Sequence, residues 1–88
     1  MEHQRYSNEE LARRGEDLYA RAIRAKVESG NRGRTIAIDV TTGDYEVDDD
    51  HLAAVDRLRA RRPDAEVYGM LIGYPAFAKI GGSWAAAR

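Results

Sequence analysis

The sequence predicts a single small α+β domain, read as α-β-β-α-β-β, with one sheet and its helices on one face. Three observations carry this expectation. Apolar residues recur in steps of three, four and seven along residues 11–27 and again along 52–58, which is the stripe of a helix. Along residues 34–40 they alternate instead, which is the spacing of a strand. Glycine-, asparagine- and aspartate-containing turns separate these segments. With 88 residues, 43% of them hydrophobic, the chain has room for one domain and is too apolar to be disordered.

Each element has a local reason. Ser7 and Glu10 have capping-box spacing, and Tyr6 with Leu11 fits a hydrophobic staple, so the first helix begins there. Leu11, Leu18, Tyr19, Ala22, Ile23 and Val27 form its expected stripe. Gly15 lies within that stripe, which calls for a close contact or a loose first part of the helix. Gly30, Asn31 and Gly33 end the helix. The first strand places Ile36, Ile38 and Val40 on one face and Thr35, Ala37 and Asp39 on the other. The turn Thr42-Gly43-Asp44 leads into a short return strand at residues 45–47, making a hairpin.

Asp48, Asp49 and Asp50 then supply capping oxygens for a second helix, with Leu52, Val55 and Leu58 on its expected buried face. Arg57, Arg59, Arg61 and Arg62 suit its C-terminal half, and Pro63 ends it. Residues 65–72 read as a third strand, apolar on both faces and so expected at the centre of the sheet or under a partner. Gly73-Tyr74-Pro75 is a turn, and residues 76–80 are expected as a last strand or extended edge. Residues 1–6 and 83–88 are expected to be flexible tails.

Composition narrows the function classes. The absence of cysteine excludes disulfides and thiolate zinc sites. A polar start and no long apolar run point to a cytoplasmic protein with no membrane segment. The net charge of −1 argues against a generic nucleic-acid binder. That near-neutrality is a cancellation, however. Residues 1–34 carry +2, residues 35–56 carry −7 and residues 57–88 carry +4. A small core without disulfides makes a homo-oligomer the expected state.

Candidate sites follow from this segregation. Asp44, Glu46 and Asp48 share one side of a strand and, with Asp49 and Asp50, form an acidic patch suited to a basic partner. Tyr74, in an exposed turn, is a candidate aromatic anchor. Arg57, Arg59, Arg61 and Arg62 offer an alternative reading as a nucleic-acid surface. The acidic run lacks the glycine and glutamate of a calcium loop, and no cofactor, metal ligand or catalytic residue is expected.

Two resemblances extend this reading. The string Ile38-Asp39-Val40-Thr41-Thr42-Gly43 resembles the first motif of proofreading-type 3′–5′ exonucleases, but Thr41 stands where that motif has its second carboxylate. A metal-dependent enzyme centred on Asp39 is therefore the least favoured reading, and Asp39 is expected to accept hydrogen bonds in its turn or pair with an arginine. Residues 33–48, residues 61–68 and Ile72-Gly73-Tyr74-Pro75 together resemble a family of small bacterial proteins, common in cyanobacteria and of unknown function. That likeness runs from Leu11 to Gly82, with Thr41 replacing the family's usual acidic residue. It implies an antitoxin-like member of a gene pair, hence a protein partner from an adjacent gene. The expected function is a non-enzymatic, self-associating interaction protein.

Overall fold

The protein is described here by a computed structural model covering residues 6–74. Helix α1 spans Asn8–Leu18, a π-turn follows at Tyr19–Ile23, and α2 ends the rod at Arg24–Val27. Strands β1 (Thr35–Asp39) and β2 (Tyr45–Asp48), helix α3 (His51–Arg61) and strand β3 (Val67–Leu71) complete an α+β domain. No helix of the described residues is long and apolar enough to cross a membrane. The strand expected at 76–80, the tail at 83–88 and all but Tyr6 of the tail at 1–6 lie outside the described residues.

Ser7 caps α1 as its spacing predicts, its hydroxyl accepting from Glu10 N at 3.0 Å. The Glu10 carboxylate lies 3.5 Å from Arg14 Nε, and the Arg14 guanidinium stacks over the Tyr6 ring at 4.4 Å. The π-turn is a feature no residue pattern announced. Its reason is geometric. The buried positions of the rod are Gly15, Tyr19, Ile23 and Val27, each four residues apart. In a regular α-helix each four-residue step overshoots a full turn by about 40°, so Val27 would face about 120° away from Gly15. The wider turn, closed by Arg24 N donating to Tyr19 O, takes up the overshoot. Ala22, expected in the stripe, is exposed.

The sheet runs β2-β1-β3 with both pairings antiparallel. Among the described strands β1 is central and β3 is an edge, where the expectation was the centre of the sheet or a place under a partner. The two apolar faces of β3 are explained by a second difference from expectation: the helices lie on opposite faces of the sheet. Ile36, Ile38 and Val40 of β1 and its exit pack with Tyr68, Met70 and Ile72 against Tyr19, Ile23 and Val27. On the other side Ala37 packs against Ala54 and Leu58 of α3, with Val55, Ala65 and Val67 around them. Ala37 is small enough for α3 to sit close over the strand, so one strand serves two cores.

The buried side of α3 is His51, Ala54, Val55 and Leu58, at spacings of three, four and seven. Leu52, expected there, is 69% exposed. His51 takes the core position instead and lies over Gly69 of β3, where an added Cβ would collide with the ring. Its Nδ1 is buried without a hydrogen-bond partner among the described residues. Burial holds this imidazole below its ordinary range, although Asp50 opposes the shift.

The stability linked to His51 is therefore whole above about pH 6.5, the unfolded value, and is lost as pH falls from there toward the lower folded value. Urea midpoints should fall across this mildly acidic range in the native chain and run flatter in His51→Gln. Parallel curves for the two proteins would refute the assignment.

Candidate functional site

The acidic strand and the basic helix turn out to face each other. Glu46 and Asp48 stand opposite Ala37 and Thr35 in the β1–β2 register, on the face that carries α3. Arg57 and Arg61, one turn apart on α3, reach across to them. Arg57 Nε donates to Glu46 Oε1 at 2.9 Å, and its Nη1 donates to Asp48 Oδ2 at 2.8 Å. Arg61 Nη2 lies 2.8 Å from Glu46 Oε2, and Arg62 Nε donates to Asp44 Oδ2 at 2.6 Å. The same arginines also bond to strand carbonyls, Arg57 Nη2 to Val47 O and Arg61 Nη2 to Tyr45 O.

Three acids and three arginines thus form one network along the β2–α3 contact. The arginines hold the Glu46 carboxyl below the usual range, Arg57 foremost, against a smaller upward push from burial. The Asp50 amide, then Arg57, do the same for Asp48. The two remaining acids have separate tasks. Asp49 pairs with Arg34 at 2.8 Å, and Asp50 caps α3 by accepting from Leu52 N at 3.1 Å.

Of the four arginines, Arg59 alone has no side-chain partner among the described residues. A phosphate backbone would therefore have to compete with Glu46, Asp48 and Asp44 for the other three. A network of half-exposed pairs contributes modestly and is weakened by salt. Glu46→Gln should lower stability by about 1 kcal/mol in dilute buffer. That difference should shrink in urea titrations at high ionic strength, and a salt-independent difference would point to packing instead.

Asp39 is 1% exposed at the end of β1. Its Oδ1 accepts from Thr41 N at 3.0 Å, from Thr41 Oγ1 at 2.7 Å and from Glu66 N at 3.3 Å. Its Oδ2 accepts from Thr42 Oγ1 at 2.9 Å. Burial raises its pKa, but these donors outweigh burial and hold the carboxyl below the usual range. Asp39 is therefore a turn organiser of the kind the sequence suggested, and it pairs with no arginine among the described residues. Thr41, in the place of the exonuclease motif's second carboxylate, donates to Asp39. Among the described residues no group of three His, Asp or Glu side chains comes together to hold a metal ion.

Tyr74 is 44% exposed, with the Arg32 guanidinium 5.1 Å from its ring centroid. Nearby, the outer margin of β3 has no neighbouring strand among the described residues. Ile72 N donates to Arg34 O, and Val40 N donates to Glu66 O. The even positions of β3 therefore bond to β1, and antiparallel alternation turns the N–H and C=O groups of Val67, Gly69 and Leu71 outward. No described strand lies beyond them. The apolar pattern of residues 65–72 predicts the centre of the sheet or a place under a partner and does not announce this edge. The missed signal was Ala37, whose small side chain makes β1 the strand that a helix can approach on its second face.

These features define a three-layer α+β domain with a self-neutralised acidic hairpin and, among the described residues, an uncovered β3 edge. Comparison with known proteins adds nothing to this description, since no family model, curated protein or solved structure matches the chain.

Proposed function

We propose that this chain is a non-enzymatic, cytoplasmic interaction protein that self-associates through the outer edge of β3. The observation that carries the reading is the edge itself. Val67-Tyr68-Gly69-Met70-Leu71 contains no charge and no proline, the features by which edge strands usually resist pairing. Two copies meeting antiparallel about Gly69 would pair Val67 with Leu71 of the second copy and extend the sheet to twice its width. The central glycine pair brings no side chain into conflict. A small core gains from such burial.

The acidic hairpin supports a docking role less well, because its charge is already matched within the molecule. The gene-pair partner implied by the family resemblance would use the same β3 edge, by adding an extended segment to it. The test is the solution mass of the full chain combined with amide exchange. A dimer is expected, with Val67, Gly69 and Leu71 amides protected more strongly as concentration rises. A monomer at every concentration overturns self-association. A monomer with those amides protected would assign the edge to residues 75–88 of the same chain.

A further inference from the structure

An open cavity of about 360 Å³ lies between the π-turn and the end of β3. Tyr19 and Met70, both buried, contribute apolar surface, and Tyr74 contributes an exposed ring. Its polar lining carries charges of both signs. Elsewhere Glu10, Asp17, Asp44, Glu46, Asp48 and Asp49 each have an arginine partner. Glu16 and Glu28, both in this cavity, have none among the described residues. Each instead takes a phenol on its Oε2: Tyr68 OH donates to Glu16 at 2.9 Å, and Tyr19 OH donates to Glu28 at 3.4 Å. Arg24 lines the same cavity and its side chain is also unpaired among the described residues. It stands four residues before Glu28 and makes no ion pair with it.

The π-turn bears on this arrangement. In a regular α-helix, residues five apart point about 140° away from each other. The i to i+5 closure between Tyr19 and Arg24 draws the two toward one side of the rod, and both line the cavity. An arginine without a side-chain partner among the described residues and two phenol-bonded carboxylates therefore share a cavity with apolar and aromatic surface. We infer that this cavity binds a small zwitterion, an α-amino acid with an apolar side chain. Arg24 takes its carboxylate, Glu28, one turn further along the rod, takes its ammonium, and Met70 and Tyr74 contact its side chain. The volume falls within the lower range of small-molecule sites, and a guanidinium is the preferred partner of a carboxylate.

The test is titration of the isotope-labelled full chain with L-leucine, L-methionine and L-phenylalanine, each followed by amide chemical shifts. Saturable shifts are expected at Tyr19, Arg24, Gly73 and Tyr74 with at least one of the three. Arg24→Gln, at an exposed position, should weaken binding about tenfold with an unchanged thermal midpoint. The methyl ester and the N-acetyl form of the bound amino acid each lack one charge and should weaken it similarly. The inference is overturned by no shift at millimolar ligand, by shifts confined to other regions, or by an ester that binds as well as the free amino acid.

Discussion

Asp39→Ala is expected to destabilise the domain by about 3 kcal/mol or more, the largest effect of any single polar substitution in it. The carboxylate accepts two backbone amides and two hydroxyls, and the residue itself is 1% exposed. Alanine leaves the amides of Thr41 and Glu66 without that acceptor. It also unties the turn after β1 from the segment that enters β3, since Glu66 is reached from 27 residues away. Asp39→Asn keeps an acceptor oxygen for Thr41 and Glu66 and turns an amide toward Thr42, whose hydroxyl can accept instead of donate. Its cost should be about half as large.

The pH dependence separates these two variants from the parent. A carboxyl held below its ordinary range contributes stability that is present above the unfolded value, near pH 3.9, and is lost as pH falls through the folded value. Both variants should lose that part of the acid limb. Denaturant midpoints followed into the acid range provide the measurement. An alanine variant as stable as the parent would mean that the turn closes without the carboxylate.

Gly15→Ala is expected to destabilise by about 2 kcal/mol, although the same change at an exposed helical site would stabilise by nearly 1 kcal/mol. The reversed sign is the informative part. A methyl at residue 15 would overlap Cβ, Cγ and Cδ2 of Tyr68, and these are not the far end of a flexible chain. Tyr68 cannot swing aside easily, because its ring lies in the core and its hydroxyl is tied to Glu16 at 2.9 Å. Burial, then Glu16, raises the pKa of that phenol, so it stays a donor at any ordinary pH. Thermal or urea unfolding of Gly15→Ala alone, and combined with Tyr68→Leu, checks the mechanism. The double variant should recover part of the loss, and purely additive effects would remove the steric account.

Much of the fold was legible because local rules and tertiary demands agreed. The Ser7 cap, the Ile36–Ile38–Val40 face, the Thr42-Gly43-Asp44 turn and the Asp50 cap each follow from two or three neighbouring residues. What failed to show was what depends on partners distant in sequence. Histidine is uncommon at core positions, so the pattern favours Leu52, yet only residue 51 lies in step with Ala54, Val55 and Leu58. The π-turn has no residue signature, since it answers the position of β3 rather than any preference of Tyr19 to Ile23. The acidic stripe and the arginine cluster were each visible, but their mutual pairing required knowing that α3 returns over β2. Alternation put Asp44, Glu46 and Asp48 on one side without saying which layer occupied it.

The pairing between β2 and α3 also has a kinetic meaning. Its partners are only 9 to 18 residues apart, so the loops that close it are short and their entropic cost is low. The bond from Tyr68 to Glu16 spans 52 residues and closes a far larger loop. An acidic block followed at once by a basic one therefore gives the chain a place to begin collapsing. Contacts of low sequence separation can form there before the first helix finds β3. The segregated charge that a reader of the sequence would assign to an encounter between molecules is matched here within one.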